Sequence, residues 1–108
     1  MIYAFDIDGT LCTLTQNGNY HLVIPYLNRI EVVNKLYDEG NTIKIYTARG
    51  MRRFRNSEID DIHFKILTEF TESQLKGWNV KYHELIMRKT EFDILVDDKG
   101  VNADEFFK

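Results

Sequence analysis

Three short runs, apolar or nearly so, each stop at a group able to handle charge: residues 2–5 at Asp6, residues 42–46 at Thr47, residues 92–96 at Asp97 and Asp98. Runs of this length, bounded by turn-forming residues, predict strands rather than helices. Between the first two, Pro25 opens a pattern in which Leu27, Ile30, Val33, Leu36 and Tyr37 recur at helical spacing, with Gly40 and Asn41 where it should end. A second helix is expected from about Ser57, with Ile59, Ile62, Phe64, Ile66, Leu67, Phe70 and Leu75 as its apolar positions and Gly77 as its stop. Residues 80–87 predict a weaker strand, and residues 101–108 one more helical turn. Asn17-Gly18 is a type I′ turn signal inside a polar stretch, which predicts a small flap after the first strand.

Strands alternating with helices imply an α/β domain with a mainly parallel sheet. Ligands of such sheets sit beyond the carboxyl ends of the strands. The chain would therefore gather Asp6, Asp8, Thr47, Asp97 and Asp98 around one crevice. Four carboxylates so placed repel one another unless a cation lies among them, and hard oxygen donors suit Mg²⁺. His21, His63 and His83 lie far apart, and no Cys/His spacing suggests zinc.

At 108 residues the chain suits one domain, 1–108, with a core that self-association would help to stabilise. A net charge of −3 weighs against a broad nucleic-acid surface. Cys12 has no second cysteine to pair with, which fits a reducing compartment. The chain opens without a basic segment leading into an apolar one, and no stretch approaches the roughly 20 apolar residues that span a bilayer. A cytoplasmic protein without a membrane partner is expected.

Asp6-Ile7-Asp8-Gly9-Thr10-Leu11 at the end of the first strand resembles motif I of the haloacid dehalogenase superfamily. Thr47 resembles motif II, Lys89 motif III, and Asp97-Asp98 the paired-acid form of motif IV. The Asn17-Gly18-Asn19-Tyr20 flap, Pro25, Thr47-Ala48-Arg49 followed by Met51-Arg52, and Glu105-Phe106 are similar to the small capsule-biosynthesis phosphatases of that superfamily. One departure stands out: Thr90-Glu91 follow Lys89 where a proline and a glycine-containing turn are expected. The motif III contact thus stays open between Lys89 and Arg88.

The resemblance implies a Rossmann-like three-layer sandwich with a mainly parallel central sheet, a small flap and no cap domain. It also implies an Mg²⁺-dependent phosphoric monoester hydrolase. Asp6 would be the nucleophile and Asp8 the proton donor and acceptor. Asp6, Asp8 and Asp98, supported by Asp97, would hold the metal. Thr47, Ala48, Gly9 and Lys89 would meet the phosphate. Each residue has a plainer reading alone: Asp-Gly-Thr makes turns, and lysines and acid pairs commonly face water.

Arg49 and Arg52 are candidates for a second anionic group of the substrate, against the alternative of a solvated basic segment with Arg53 and Arg55. The expected substrate is a small phosphorylated metabolite, a sugar or polyol phosphate feeding a surface polysaccharide. The alternatives are a macromolecular phosphate (a nucleic-acid end or a phosphoprotein), a phosphotransferase, and a non-catalytic scaffold. A capless site would be open unless a second copy closes it.

Overall fold

The computed structural model describes residues 1–51 and 61–108. A parallel sheet of three strands runs in the order β1 (Ile2–Phe5), β2 (Thr42–Tyr46), β3 (Glu84–Ile86). Tyr3 pairs with Ile43 and Phe5 with Ile45, and on the other side of β2 Ile45 pairs with Leu85. Because side chains alternate along a strand, these residues share one face. That face is the core side: Phe5, Ile43 and Ile45 are buried. The alternate positions of β1, Ile2 and Ala4, are exposed, and Lys44 meets its register partner Glu84 at 3.8 Å.

Helix α1 (Leu27–Asp38) follows β1, helix α2 is described over Asp61–Gly77, and the short α3 (Ala103–Phe106) closes the chain. Ile30 and Val33 of α1 and Leu75 of α2 join Phe5, Ile43 and Ile45 in one core cluster. Burial of such side chains contributes on the order of 1.5–3 kcal/mol each. From α3, Phe106 sets its ring edge-on to Phe5 at 5.5 Å, and Phe107 lies 5.9 Å from the same ring. Helix α1 ends where expected: the Gly40 N–H donates to the Tyr37 carbonyl and the Asn41 N–H to that of Leu36, which satisfies the last-turn acceptors. Among the described residues no helix is long and apolar enough to cross a membrane.

The flap follows its sequence signal. Asn17 and Gly18 both have positive φ, 54° and 73°, and the Asn19 N–H closes the turn on the Gln16 carbonyl. Its base is stitched by the Thr13 N–H to the Ile24 carbonyl and the Tyr26 N–H to the Leu11 carbonyl. A one-turn 3₁₀ segment, Tyr20–Leu22, leads back to α1.

One expected strand is not formed. Residues 92–96 have no strand pairing, and Ile94 and Val96 are 81% and 93% exposed. Apolar alternation makes a strand only where a neighbouring edge accepts its N–H and C=O groups. No described residue pairs with β1 on the side away from β2. The expected weaker strand at 80–87 is realised only over Glu84–Ile86. The Ser57 cap lies outside the described residues.

Candidate functional site

Asp6 follows directly on β1, and Thr47 directly on β2. Lys89 comes three residues after β3, and its N–H donates to the Thr47 carbonyl at 3.1 Å, so the third strand's exit folds back beside the second. Lys89 Nζ lies 3.5 Å from Asp6 Oδ2, and the Ile7 N–H donates to Asp6 Oδ1 at 2.8 Å. Burial raises the pKa of Asp6 above its ordinary 3.8, with the Lys89 charge and the Ile7 N–H opposing it and the Asp8 charge adding to it. Lys89 also sits over the rings of Tyr46 and Phe92, at 5.6 and 5.4 Å. Arg88 points elsewhere: its guanidinium lies 4.3 Å over the Phe64 ring of α2. Geometry thus puts Lys89, not Arg88, beside Asp6.

The turn after Asp6 is wound tightly. Gly9 has φ +83°, a backbone conformation that strains any other residue, whereas the end of the exposed Leu14 side chain, 2.8 Å from where a Cβ would lie, can move aside. The N–H groups of Thr10 and Leu11 both donate to the Ile7 carbonyl. The Gly9 N–H donates to the Cys12 carbonyl at 2.9 Å, so it is already engaged and does not point at a phosphate as the sequence suggested. Cys12 itself is buried against Asp8 Oδ1 at 3.6 Å; desolvation, with the Asp8 charge, pushes its pKa up to about 12.

Asp8 is held by Arg49. The guanidinium donates from Nε to Asp8 Oδ2 and from Nη2 to Asp8 Oδ1, both at 2.9 Å. Its Nη1 donates to Gln74 Oε1 at 2.7 Å and Thr71 Oγ1 at 3.3 Å. Arg49 is 2% exposed. This corrects the expectation that Arg49 meets the substrate: with its donors turned on Asp8, Thr71 and Gln74, it has no fork left to offer. Nothing in the basic run around it signals this; Thr71 and Gln74 lie on α2, and neither stands out in the sequence. Arg52 lies outside the described residues.

Thr47 is buried, and its Oγ1 accepts from the Arg49 N–H at 3.2 Å, which leaves the hydroxyl proton for a second acceptor. Ala48 lies between them, its carbonyl accepting from the Met51 N–H.

The remaining acids are not gathered with Asp6 and Asp8. Asp98 is 83% exposed and pairs with Lys99 at 3.6 Å. Asp97 accepts from the Lys99 N–H at 2.8 Å, and that bond, with one to Asp98, holds its pKa below the ordinary value. Among the described residues no group of three or more His, Cys, Asp or Glu side chains is placed to hold a metal ion. The Asp6 carboxylate is itself a hard oxygen donor of the kind that suits Mg²⁺.

The chain is similar to a crystal structure of a structural-genomics target from Vibrio cholerae. The two superpose with a TM-score of 0.81 at 30% identity, over 98% of this chain and 86% of the other. No family model and no curated protein matches the sequence.

Proposed function

We propose that this chain, which belongs to one family with the Vibrio cholerae protein, is a phosphomonoester hydrolase of the haloacid dehalogenase type. The observation that carries the reading is the meeting of Asp6 and Lys89, from the ends of the two outer strands, with Thr47 between them on the middle one. A nucleophilic carboxylate, a cation for the phosphoryl oxygens and a hydroxyl donor are what transfer of a phosphoryl group to an aspartate requires.

In the first step an Asp6 oxygen bonds to phosphorus, the ester P–O bond breaks, and Asp8 gives its proton to the leaving oxygen. Lys89 faces the charge gathered on the equatorial oxygens, and Thr47 donates its hydroxyl proton to one of them. In the second step water bonds to phosphorus and yields a proton to Asp8. The bond to Asp6 breaks, freeing phosphate and restoring both carboxyl groups. Asp6, the Asp8 backbone carbonyl and Asp98, the last brought in from the 92–98 segment with Asp97 in support, would hold Mg²⁺, which would screen the carboxylate from the phosphate dianion. In the same reading residues 92–96 close on the free side of β1 and complete a three-layer, capless domain.

The substrate in this reading is a small phosphate ester such as a sugar or polyol phosphate, handled in the cytoplasm; a short flap leaves the site open, so a macromolecular phosphate is the alternative. The test is phosphate release by the purified protein with Mg²⁺ over sugar, polyol, nucleotide and peptide phosphates, beside Asp6→Asn. Turnover of one small-metabolite class, lost in a folded Asp6→Asn, is expected. Unchanged turnover in that variant removes Asp6 as nucleophile. No release from any class turns the reading toward a scaffold.

A further inference from the structure

We propose that Arg49 is the positioning residue for Asp8, and that Gln74 of α2 and Tyr20 of the flap hold Arg49 to that task. The inference rests on the reading of Asp8 as the proton donor. An aspartate on a turn can swing between rotamers, and proton transfer requires one of them. The forked contact of Arg49 to both Asp8 oxygens fixes the plane of the carboxyl group. With the Cys12 thiol also donating to Oδ1, it leaves a lone-pair direction for a proton on Oδ2 alone. The exposures agree: the Arg49 side chain is wholly buried, whereas that of Asp8 keeps 17% of its surface, so the arginine stands behind the acid.

Arg49 is itself fixed from three sides. Gln74 accepts from Arg49 Nη1 through Oε1 and donates from Nε2 to the Tyr20 carbonyl at 2.9 Å. The Tyr20 ring lies 4.6 Å from the guanidinium carbon, and its hydroxyl accepts from the Gly50 N–H at 3.1 Å. Thr71 takes the remaining Nη1 contact. A buried cation so fully engaged holds a single geometry, because any other leaves charged donors without partners. The flap thus reaches Asp8 through two contacts, and its seating sets the aim of the acid.

The test is leaving-group dependence. A proton donor matters greatly for an alkyl phosphate, whose leaving alkoxide must be protonated, and little for p-nitrophenyl phosphate. Turnover of glycerol phosphate and p-nitrophenyl phosphate is measured for the wild type, Asp8→Asn, Arg49→Ala and Gln74→Leu, with folding followed by circular dichroism. Arg49→Ala is expected to lose at least about 10-fold more on the alkyl than on the aryl ester, within the range of general-acid effects. Added guanidinium should restore part of the alkyl turnover, and Gln74→Leu should show a smaller bias of the same sign. Should Arg49→Ala not fold, the Gln74→Leu bias decides. Equal losses on both esters, in a wild type that turns over both, overturn the positioning role and leave the phosphatase reading standing. A wild type inert toward both overturns the two together.

Discussion

Lys89 Nζ stands 3.5 Å from Asp6 Oδ2, while the neighbouring Arg88 lies over Phe64 on α2. Two cations side by side in the chain thus have different partners. Only one of them can serve the nucleophile. We expect Lys89→Ala to lower turnover by about 10²-fold, the scale on which a transition-state donor acts. Arg88→Ala should leave turnover near the wild-type rate. Steady-state rates of the two variants on one phosphate ester check this, and the reverse order would return motif III to Arg88.

The acids at 97 and 98 face water, and residues 92–96 have no strand partner. If Asp98 joins the cation shell, binding must draw this segment toward Asp6. Addition of Mg²⁺ should then slow amide hydrogen exchange across 92–98, and EDTA should reverse it. Turnover should follow the same titration. Protection confined to 6–10, with activity restored, would leave Asp97 and Asp98 outside the site.

The turn that carries Asp6 and Asp8 depends on Gly9. Its φ of +83° acts against any side chain, while the exposed Leu14 tip beside it can move away. Gly9→Ala should lower stability by about 1–2 kcal/mol from the left-handed backbone alone. It should also disturb the Gly9 N–H bond to Cys12. Urea unfolding measures the first, and loss of activity beyond the loss of folded protein reports the second.

How much was legible depended on where the deciding information lay. The first two strands, the turn at Asn17-Gly18 and the end of α1 are set by local patterns, and the structure has them where the patterns lie. Residues 92–96 carry as good a local pattern, yet a strand needs an edge, and an edge is a property of the whole fold. Arg49 is the sharper case. Among Arg52, Arg53 and Arg55 it looks like one more solvated or ligand-seeking cation. Its partners, Asp8, Thr71 and Gln74, are 41, 22 and 25 residues away, and no spacing rule links them. Choosing between Lys89 and Arg88 likewise required knowing which way the chain leaves β3.

Cys12 has no exposed surface, and its thiol sits beside the Asp8 carboxylate. A thiolate there would lack hydration and face a negative neighbour, so the proton is held to about pH 12 against an ordinary pKa of 9.0. The thiolate is the reactive form, so the native protein should resist iodoacetamide at pH 8, and unfolded chain should be labelled quickly. The same shift has a consequence for stability. Below pH 9 the thiol is protonated in both states and favours neither. Between 9 and about 12 the unfolded chain releases this proton while the folded one keeps it, so stability falls as pH rises. Cys12→Ala should remove that part of the decline, and urea midpoints of the two proteins from pH 8 to pH 10.5 measure it. Parallel curves, or rapid labelling of the folded protein, would mean that the thiol is not sealed behind Asp8.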